Sequence, residues 1–145
     1  MDRRVYQLLN QDVVVTSLLT AWLESNPGLT GGHEEGGFIV KEPTGEYAIH
    51  RWPRGTEYYI DPSEHPNCHS DSLPIIASFH THPNIGTGSQ QSPGKADIRA
   101  VRDDPDLKAT HYLGEFVISN AEIYLVAPDG VVHNVGATGV ILRMT

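Results

Sequence analysis

The sequence predicts a mixed α/β fold, in which a β-sheet is flanked by helices. Apolar residues near the N-terminus recur at helical spacing, and several short apolar segments bounded by turn residues are typical of strands. A second helical segment, with its own start signal, lies between those strands. The chain has 145 residues, the usual size of one compact domain, and no repeat or linker-like segment divides it. We therefore expect a single domain over residues 1–145.

The first predicted helix spans residues 16–24. Its apolar positions recur at the spacing of one helix face, at Val15, Leu18, Leu19, Trp22 and Leu23. Either Thr16 or Ser17 is a suitable N-cap, because a hydroxyl oxygen can accept from a free backbone N–H of the first turn. The turn-forming residues 26–28 end the helix.

The first half of the predicted sheet is a meander followed by a loop and a buried strand. A glycine-rich segment at 29–37 leads into it, and a turn at 43–45 separates its first two strands. The first predicted strand begins at 38–40, and the others lie at 46–52, 57–60 and 75–82. Residues 61–74 hold three prolines and many polar side chains without periodicity, which indicates a surface loop.

The second half begins with a loop rich in Gly, Ser and Gln at 83–91. Ser92 then has the properties of an N-cap and Pro93 those of a first helical residue, so we expect a short helix that ends near Arg102. The remaining predicted strands, with tight turns at 119–120 and 129–130, lie at 112–118, 122–126, 131–135 and 140–142.

Composition excludes several classes of function. The 10 basic and 18 acidic residues give a net charge of −8, and the basic residues are scattered, so we expect no nucleic-acid partner. No apolar run approaches the roughly 18 residues that span a bilayer, and the first residues lack the apolar region of a secretion signal. The one cysteine, Cys68, fits a reducing compartment and excludes zinc sites built on cysteine pairs. We expect a cytoplasmic protein with no membrane partner.

Two histidines at the end of the strand predicted at 75–82 indicate a metal site. Side chains alternate along a strand, so Ile76, Ser78, His80 and His82 are expected to share one face. Zinc in a hydrolytic site usually takes three protein ligands and keeps one position open. Asp97 is the best third candidate, because its helix follows the strand and must return near the strand's end. Two partly exposed histidines without a metal are the simpler alternative.

These residues resemble a known signature. The string at 78–83, SFHTHP, followed by Ser92 and Asp97 and preceded by Glu34 in a Glu-x-x-Gly sequence, is similar to the motif of the JAMM metalloproteases, also called the MPN or JAB family. The resemblance covers most of the chain. It implies an MPN/JAB-like fold, related to that of the cytidine deaminases, in which a curved mixed sheet is flanked by helices.

The resemblance also implies a role for each matching residue. It makes His80, His82 and Asp97 the ligands of a zinc ion. Glu34 would be the general acid/base, with the adjacent Glu35 as the alternative. Ser92 would stabilise the oxyanion, with Ser89 as a poorer substitute.

The spacing departs from the family pattern at two points. Nine residues separate His82 from Ser92, where the family has seven, and four separate Ser92 from Asp97, where the family has two. The first difference is a loop insertion, and two extra residues add little to the entropic cost of closing a loop. The second matters more, because two positions on a helix rotate a side chain by about 200°. Either Ser92 precedes the helix, or it is not the family's serine.

The expected function is zinc-dependent hydrolysis of a peptide or isopeptide bond, with water as the nucleophile and Glu34 as the base. The family resemblance suggests the C-terminal tail of a ubiquitin-like protein as the substrate, and a stand-alone protein of prokaryotic type. The alternative is a scaffold or interaction module that has kept the fold without catalysis. Metal content separates the two hypotheses, because a scaffold with a broken site should hold much less than one zinc per chain.

Overall fold

The part of the chain that the structure describes contains both helices and strands: two helices precede the first three strands, one helix separates these from the next three, and one helix follows them. A computed structural model describes residues 1–28, 32–56, 60, 73–84, 92–104, 107 and 109–144. Its elements are, in chain order, α1 (Arg3–Leu9), α2 (Asp12–Glu24), β1 (Gly36–Lys41), β2 (Tyr47–Arg51), β3 (Ile75–Thr81), α3 (Lys95–Asp103), β4 (Glu115–Ile118), β5 (Glu122–Val126), β6 (Val132–Ala137) and α4 (Thr138–Ile141). The predicted class is therefore confirmed. Among the described helices, none has the length and apolar character that a bilayer crossing requires.

One open mixed sheet organises the described part of the chain. Its strand order is β2-β1-β3-β4-β5-β6. Neighbouring strands are antiparallel except β3 and β4, which run parallel and are connected through α3. Parallel neighbours present their carboxyl ends at the same edge of the sheet. The end of β3 and the end of β4 therefore lie side by side, next to the start of α3.

Apolar side chains cover both faces of the sheet. One core cluster joins α1, α2 and α4 to the first face, through residues that include Leu8, Leu18, Phe79, Phe116 and Leu142. A second cluster lies on the other face, where Val101 of α3 packs with residues that include Phe38, Trp52 and Val117. The sheet is thus the middle layer between helices, the arrangement that buries both faces of central strands.

The N-terminal helical region is longer than predicted. Helix α2 begins at Asp12, so Thr16 and Ser17 are helical residues and not N-caps. The Ser17 hydroxyl does not cap the helix, because it donates to the Val13 carbonyl inside it. Helix α1, which was not predicted, is capped by the Asp2 side chain, which accepts from the Arg4 backbone N–H.

The strand predicted at 140–142 is wrong, since these residues belong to α4 and its C-terminal end. A three-residue apolar run does not distinguish a strand from a helix by periodicity. In the structure Leu142 is buried in the core, whereas Val140 is 77% exposed. The other strands of the second half lie where they were predicted, apart from their ends, and β5 has the predicted bounds.

One irregularity changes the predicted faces of β3. The register places Ile39 opposite Ala77 and the next residue, Val40, opposite Ile75, so Ile76 is an extra residue on its strand. Ile76 packs in the cluster that contains Ala77, whereas Ile75 packs in the other cluster. The prediction that Ile76 shares a face with the site residues is therefore wrong, because it assumed unbroken alternation.

Some predicted features fall outside the described residues. These are residues 57–59 of the strand predicted at 57–60, most of the loop predicted at 61–74 together with Cys68, and most of the loop predicted at 83–91 together with the alternative serine, Ser89.

Candidate metal centre

The end of β3 brings two imidazoles together. His80 is the last but one residue of the strand, and the His82 backbone N–H continues the pairing by donating to the Ile118 carbonyl at 2.8 Å. The two side chains project to the same side, with their Nε2 atoms 3.2 Å apart. Both histidines are buried, and not partly exposed as the simpler alternative assumed. The predicted pairing of these two side chains is therefore present in the structure.

The start of α3 adds a carboxylate. Asp97 is the third residue of the helix, and its Oδ1 and Oδ2 atoms lie 3.3 Å and 3.4 Å from the Nε2 atoms of His80 and His82, respectively. The Gly94 backbone N–H donates to Asp97 Oδ2 at 2.8 Å. This capping bond holds the carboxylate in one orientation. The short distances to both histidines show that α3 brings Asp97 to the end of β3, as expected.

Glu34 reaches the same place from the segment before β1. Its backbone N–H donates to the Thr56 carbonyl at 2.7 Å, and its carbonyl accepts from the Gly55 N–H at 2.9 Å. The side chains of Glu34, His80 and His82 each offer one ligand atom, and these atoms lie within 4.8 Å of one another. This buried group could hold a metal ion.

Glu35 lies elsewhere, although it is the next residue. Its carboxylate contacts the His33 imidazole and accepts from Arg51 at 2.6 Å. Arg51 also donates to Glu24 of α2 at 2.8 Å. Successive side chains of an extended segment point to opposite sides, which separates the two glutamates. Of the two alternatives left by the sequence, Glu34 is the one beside the histidines.

The spacing of the two imidazole donor atoms fits a small tetrahedral metal ion. Ligands at about 2.0–2.1 Å from a metal in tetrahedral geometry are about 3.3–3.4 Å apart. The Nε2 atoms of His80 and His82 are 3.2 Å apart, which matches this spacing. Asp97 approaches them with two different oxygens, Oδ1 at 3.3 Å from His80 and Oδ2 at 3.4 Å from His82. Imidazole nitrogen and carboxylate oxygen are both suitable ligands for such an ion. The residues present therefore fit a metal.

A second layer of polar side chains stands behind His80. The Nδ1 atom of His80 lies 2.7 Å from Oε2 of Glu115, which is on β4. The Ser78 hydroxyl donates to Glu115 Oε1 at 2.9 Å and lies 2.6 Å from the Tyr112 hydroxyl. Glu115 was not predicted as a site residue, although one signal was present in the sequence. A charged residue inside an otherwise apolar predicted strand is costly to bury unless a partner pairs with it.

Burial and mutual charge shift the acids and bases of this cluster. Burial raises the pKa of Glu34 to about 7, against the opposing effect of His80 and His82. Burial alone would lower the pKa of His80, but the charges of Glu115 and Asp97 raise it well above its ordinary value. For Asp97, burial acts to raise the pKa, whereas hydrogen bonds from His80 and His82 hold it below its usual range.

Ser92 lies outside this buried group. It is exposed, and it precedes by two residues the N-cap of α3, which is Gly94 and not Ser92. Pro93 accordingly is not helical, and the helix begins at Lys95. The predicted start of this helix is therefore wrong by two residues. Of the two explanations for the unusual spacing between Ser92 and Asp97, the structure fits the one in which Ser92 precedes the helix. Asp97 then lies in the first turn of α3.

Comparisons with protein families, with curated proteins and with solved structures find no match to this chain.

Proposed function

We propose that this protein is a zinc-dependent peptidase or isopeptidase with an MPN/JAB-type fold. One observation carries the proposal. The site brings together His80 and His82 from the end of β3, Glu34 from before β1 and Asp97 from the start of α3. The first three are buried, and Asp97 is partly exposed. These are the residues that the JAMM resemblance assigns to the metal and to the base.

In this proposal His80, His82 and Asp97 hold the zinc ion. A zinc ion bound by imidazole and carboxylate supplies Lewis acidity, which polarises a carbonyl oxygen and brings the pKa of a water molecule to about 7. The low exposure of the histidines keeps their donor atoms oriented and limits competing hydration.

Glu34 moves the proton. Its carboxylate takes a proton from the attacking water as the new C–O bond forms, and it gives that proton to the amine nitrogen as the C–N bond breaks. The water's oxygen remains on the new carboxylate, so no covalent intermediate with the protein is required. In the same proposal the Ser92 hydroxyl donates to the oxyanion, which requires this exposed residue to approach the bound substrate.

The substrate class follows from the family resemblance. We propose the extended C-terminal tail of a ubiquitin-like protein, attached through a peptide or isopeptide bond, and a cytoplasmic location. An extended tail suits a sheet protein, because a strand edge can bind it through backbone hydrogen bonds.

The scaffold alternative depended on the spacing between Ser92 and Asp97. That spacing leaves Asp97 within 3.4 Å of both histidines, so it gives no reason to expect a broken metal site. The geometry therefore favours the enzyme.

The test combines metal analysis with cleavage. The purified protein, supplied with zinc and then desalted, should hold about one zinc per chain and should cleave a ubiquitin-like protein from a C-terminal fusion. A chelator should stop cleavage. Glu34→Gln should retain the zinc and lose the activity, because it keeps the size of the side chain but removes the proton acceptor. Glu46→Gln, a change of the same kind at an exposed residue beside a turn, is the matched control.

Two results would contradict the proposal. Cleavage that survives both the chelator and Glu34→Gln would exclude this mechanism. A protein that binds no zinc would support the scaffold alternative instead.

A further inference from the structure

A buried chain of hydrogen bonds leads away from the proposed metal ligands. It begins at His80 Nδ1, passes to the Glu115 carboxylate at 2.7 Å, then to the Ser78 hydroxyl at 2.9 Å and the Tyr112 hydroxyl at 2.6 Å. Each of these four residues is at most 5% exposed. The strand register builds the chain, because Ser78 of β3 lies directly opposite Glu115 of β4.

The donors and acceptors of this chain have a single consistent arrangement. An ionised carboxylate only accepts, so the proton between His80 and Glu115 belongs to Nδ1 of the imidazole. The one hydroxyl proton of Ser78 is donated to Glu115 at 2.9 Å. The Tyr112 hydroxyl must therefore donate to Ser78 Oγ, 2.6 Å away. Each hydrogen bond of the chain then has one donor and one acceptor.

This arrangement determines which nitrogen of His80 is available to a metal. With a proton held on Nδ1, only Nε2 can present a lone pair. Nε2 is the nitrogen that lies 3.2 Å from His82 and 3.3 Å from Asp97. The hydrogen bond also fixes the rotation of the ring, because Nδ1 must point at β4.

We propose that Glu115 is a positioning residue of the metal centre, which holds His80 with Nε2 directed at the metal and which Ser78 and Tyr112 hold in turn. The inference rests on the metal-dependent function proposed above, but it concerns only the binding of the metal. Carboxylates behind a ligating histidine commonly act in this way, and their loss typically costs about 10–100-fold in metal affinity.

The experiment measures zinc affinity by competition with a chromophoric chelator. We expect Glu115→Gln to weaken zinc binding by about 10-fold and Glu115→Ala by up to about 100-fold. Tyr112→Phe probes the far end of the same chain and should weaken binding by a smaller factor, because it leaves the bond between Glu115 and His80 in place. Glu122→Gln on β5 is the control, since Glu122 bonds Asn134 outside this network.

A second readout reports the hydrogen bond itself. In the zinc-loaded protein, the Nδ1 proton of His80 should give an NMR signal that is shifted downfield and protected from exchange with water. Glu115→Ala should remove this protection, and Glu122→Gln should leave it unchanged. A residue that only fills space would not affect this signal.

The outcomes separate this inference from the proposed function. Unchanged zinc affinity in folded Glu115→Gln would overturn the inference, and this variant provides the test if Glu115→Ala does not fold. Zinc binding that weakens as expected, in a protein that cleaves no substrate, would support the inference and contradict only the proposed function. A wild-type protein without affinity for zinc would overturn both.

Discussion

Gly36, at the start of β1, has no room for a side chain. A Cβ atom added there would lie 2.5 Å from the Phe79 carbonyl oxygen and 2.6 Å from the Trp52 ring. Because both neighbours are buried, we expect Gly36→Ala to lower the free energy of unfolding by about 1–3 kcal/mol. Urea denaturation measures the change. Gly139→Ala is the control, since nothing lies within 4 Å of its added Cβ, and an equal loss in both variants would contradict this explanation.

Tyr112 should make the protein sensitive to alkaline pH. Burial, and then the charge of Glu115, raise the pKa of its hydroxyl well above the ordinary value of 10.0. Above pH 10 the unfolded chain therefore loses this proton while the folded chain keeps it, so stability falls as pH rises. One such group contributes at most about 1.4 kcal/mol per pH unit.

Denaturation at a series of pH values between about 9 and 11 checks this expectation. Tyr112→Phe should show a smaller loss of stability over that range, because it has no hydroxyl proton to lose. If the wild type and Tyr112→Phe lost stability equally over this range, a group other than Tyr112 would be responsible for the loss at alkaline pH.

The residues proposed to bind the metal were easier to predict than the residue behind them. His80 and His82 share a face because of the two-residue period of a strand, and Asp97 follows in the next helix. Glu115 is 35 positions from His80, and only the register of β3 against β4 brings them together. Register between distant strands is not a local property, so the residues around His80 did not reveal this partner.

Helix α2 buries one side and exposes the other. Leu18 is fully buried, whereas Leu23 is 56% exposed. We expect Leu18→Ala to cost about 2–5 kcal/mol of unfolding free energy, because it leaves a cavity against the sheet. Leu23→Ala should change stability by less than about 0.5 kcal/mol. Urea denaturation of both variants tests this, and similar costs would contradict the burial of this helix face.

Elements were predicted well where a local pattern was long enough. The bounds of β5 were correct, because alternating residues and turn signals on both sides define it. The segment 140–142 was assigned to a strand because three apolar residues carry no period. The bulge at Ile76 likewise depends on how β1 pairs with β3, and this pairing cannot be predicted from the residues of β3 alone.

The whole molecule should be stabilised by zinc, because the proposed site joins β3, α3 and the segment before β1. A ligand that binds only the folded state at about 100 times its dissociation constant adds about 2.7 kcal/mol. We expect zinc to raise the melting temperature of the wild-type protein. The increase should be lost in His82→Gln, which removes a donor atom.

Differential scanning calorimetry with and without zinc measures this effect. His111→Gln is the matched control, because His111 is exposed and lies outside the site, so its zinc-dependent increase should equal that of the wild type. An increase that survives in His82→Gln would place the zinc elsewhere on the protein.

Local patterns in the chain were enough to establish the mixed α/β class, most of the strands, and the histidine pair with Asp97 as its companion. These follow from periodicity, turn residues and short-range spacing. Two features were not available at that level: that Gly94 precedes the first turn of α3, and that Glu115 stands behind His80. They depend on contacts between segments far apart in sequence, and such contacts form only when the sheet pairs and the helices pack on it.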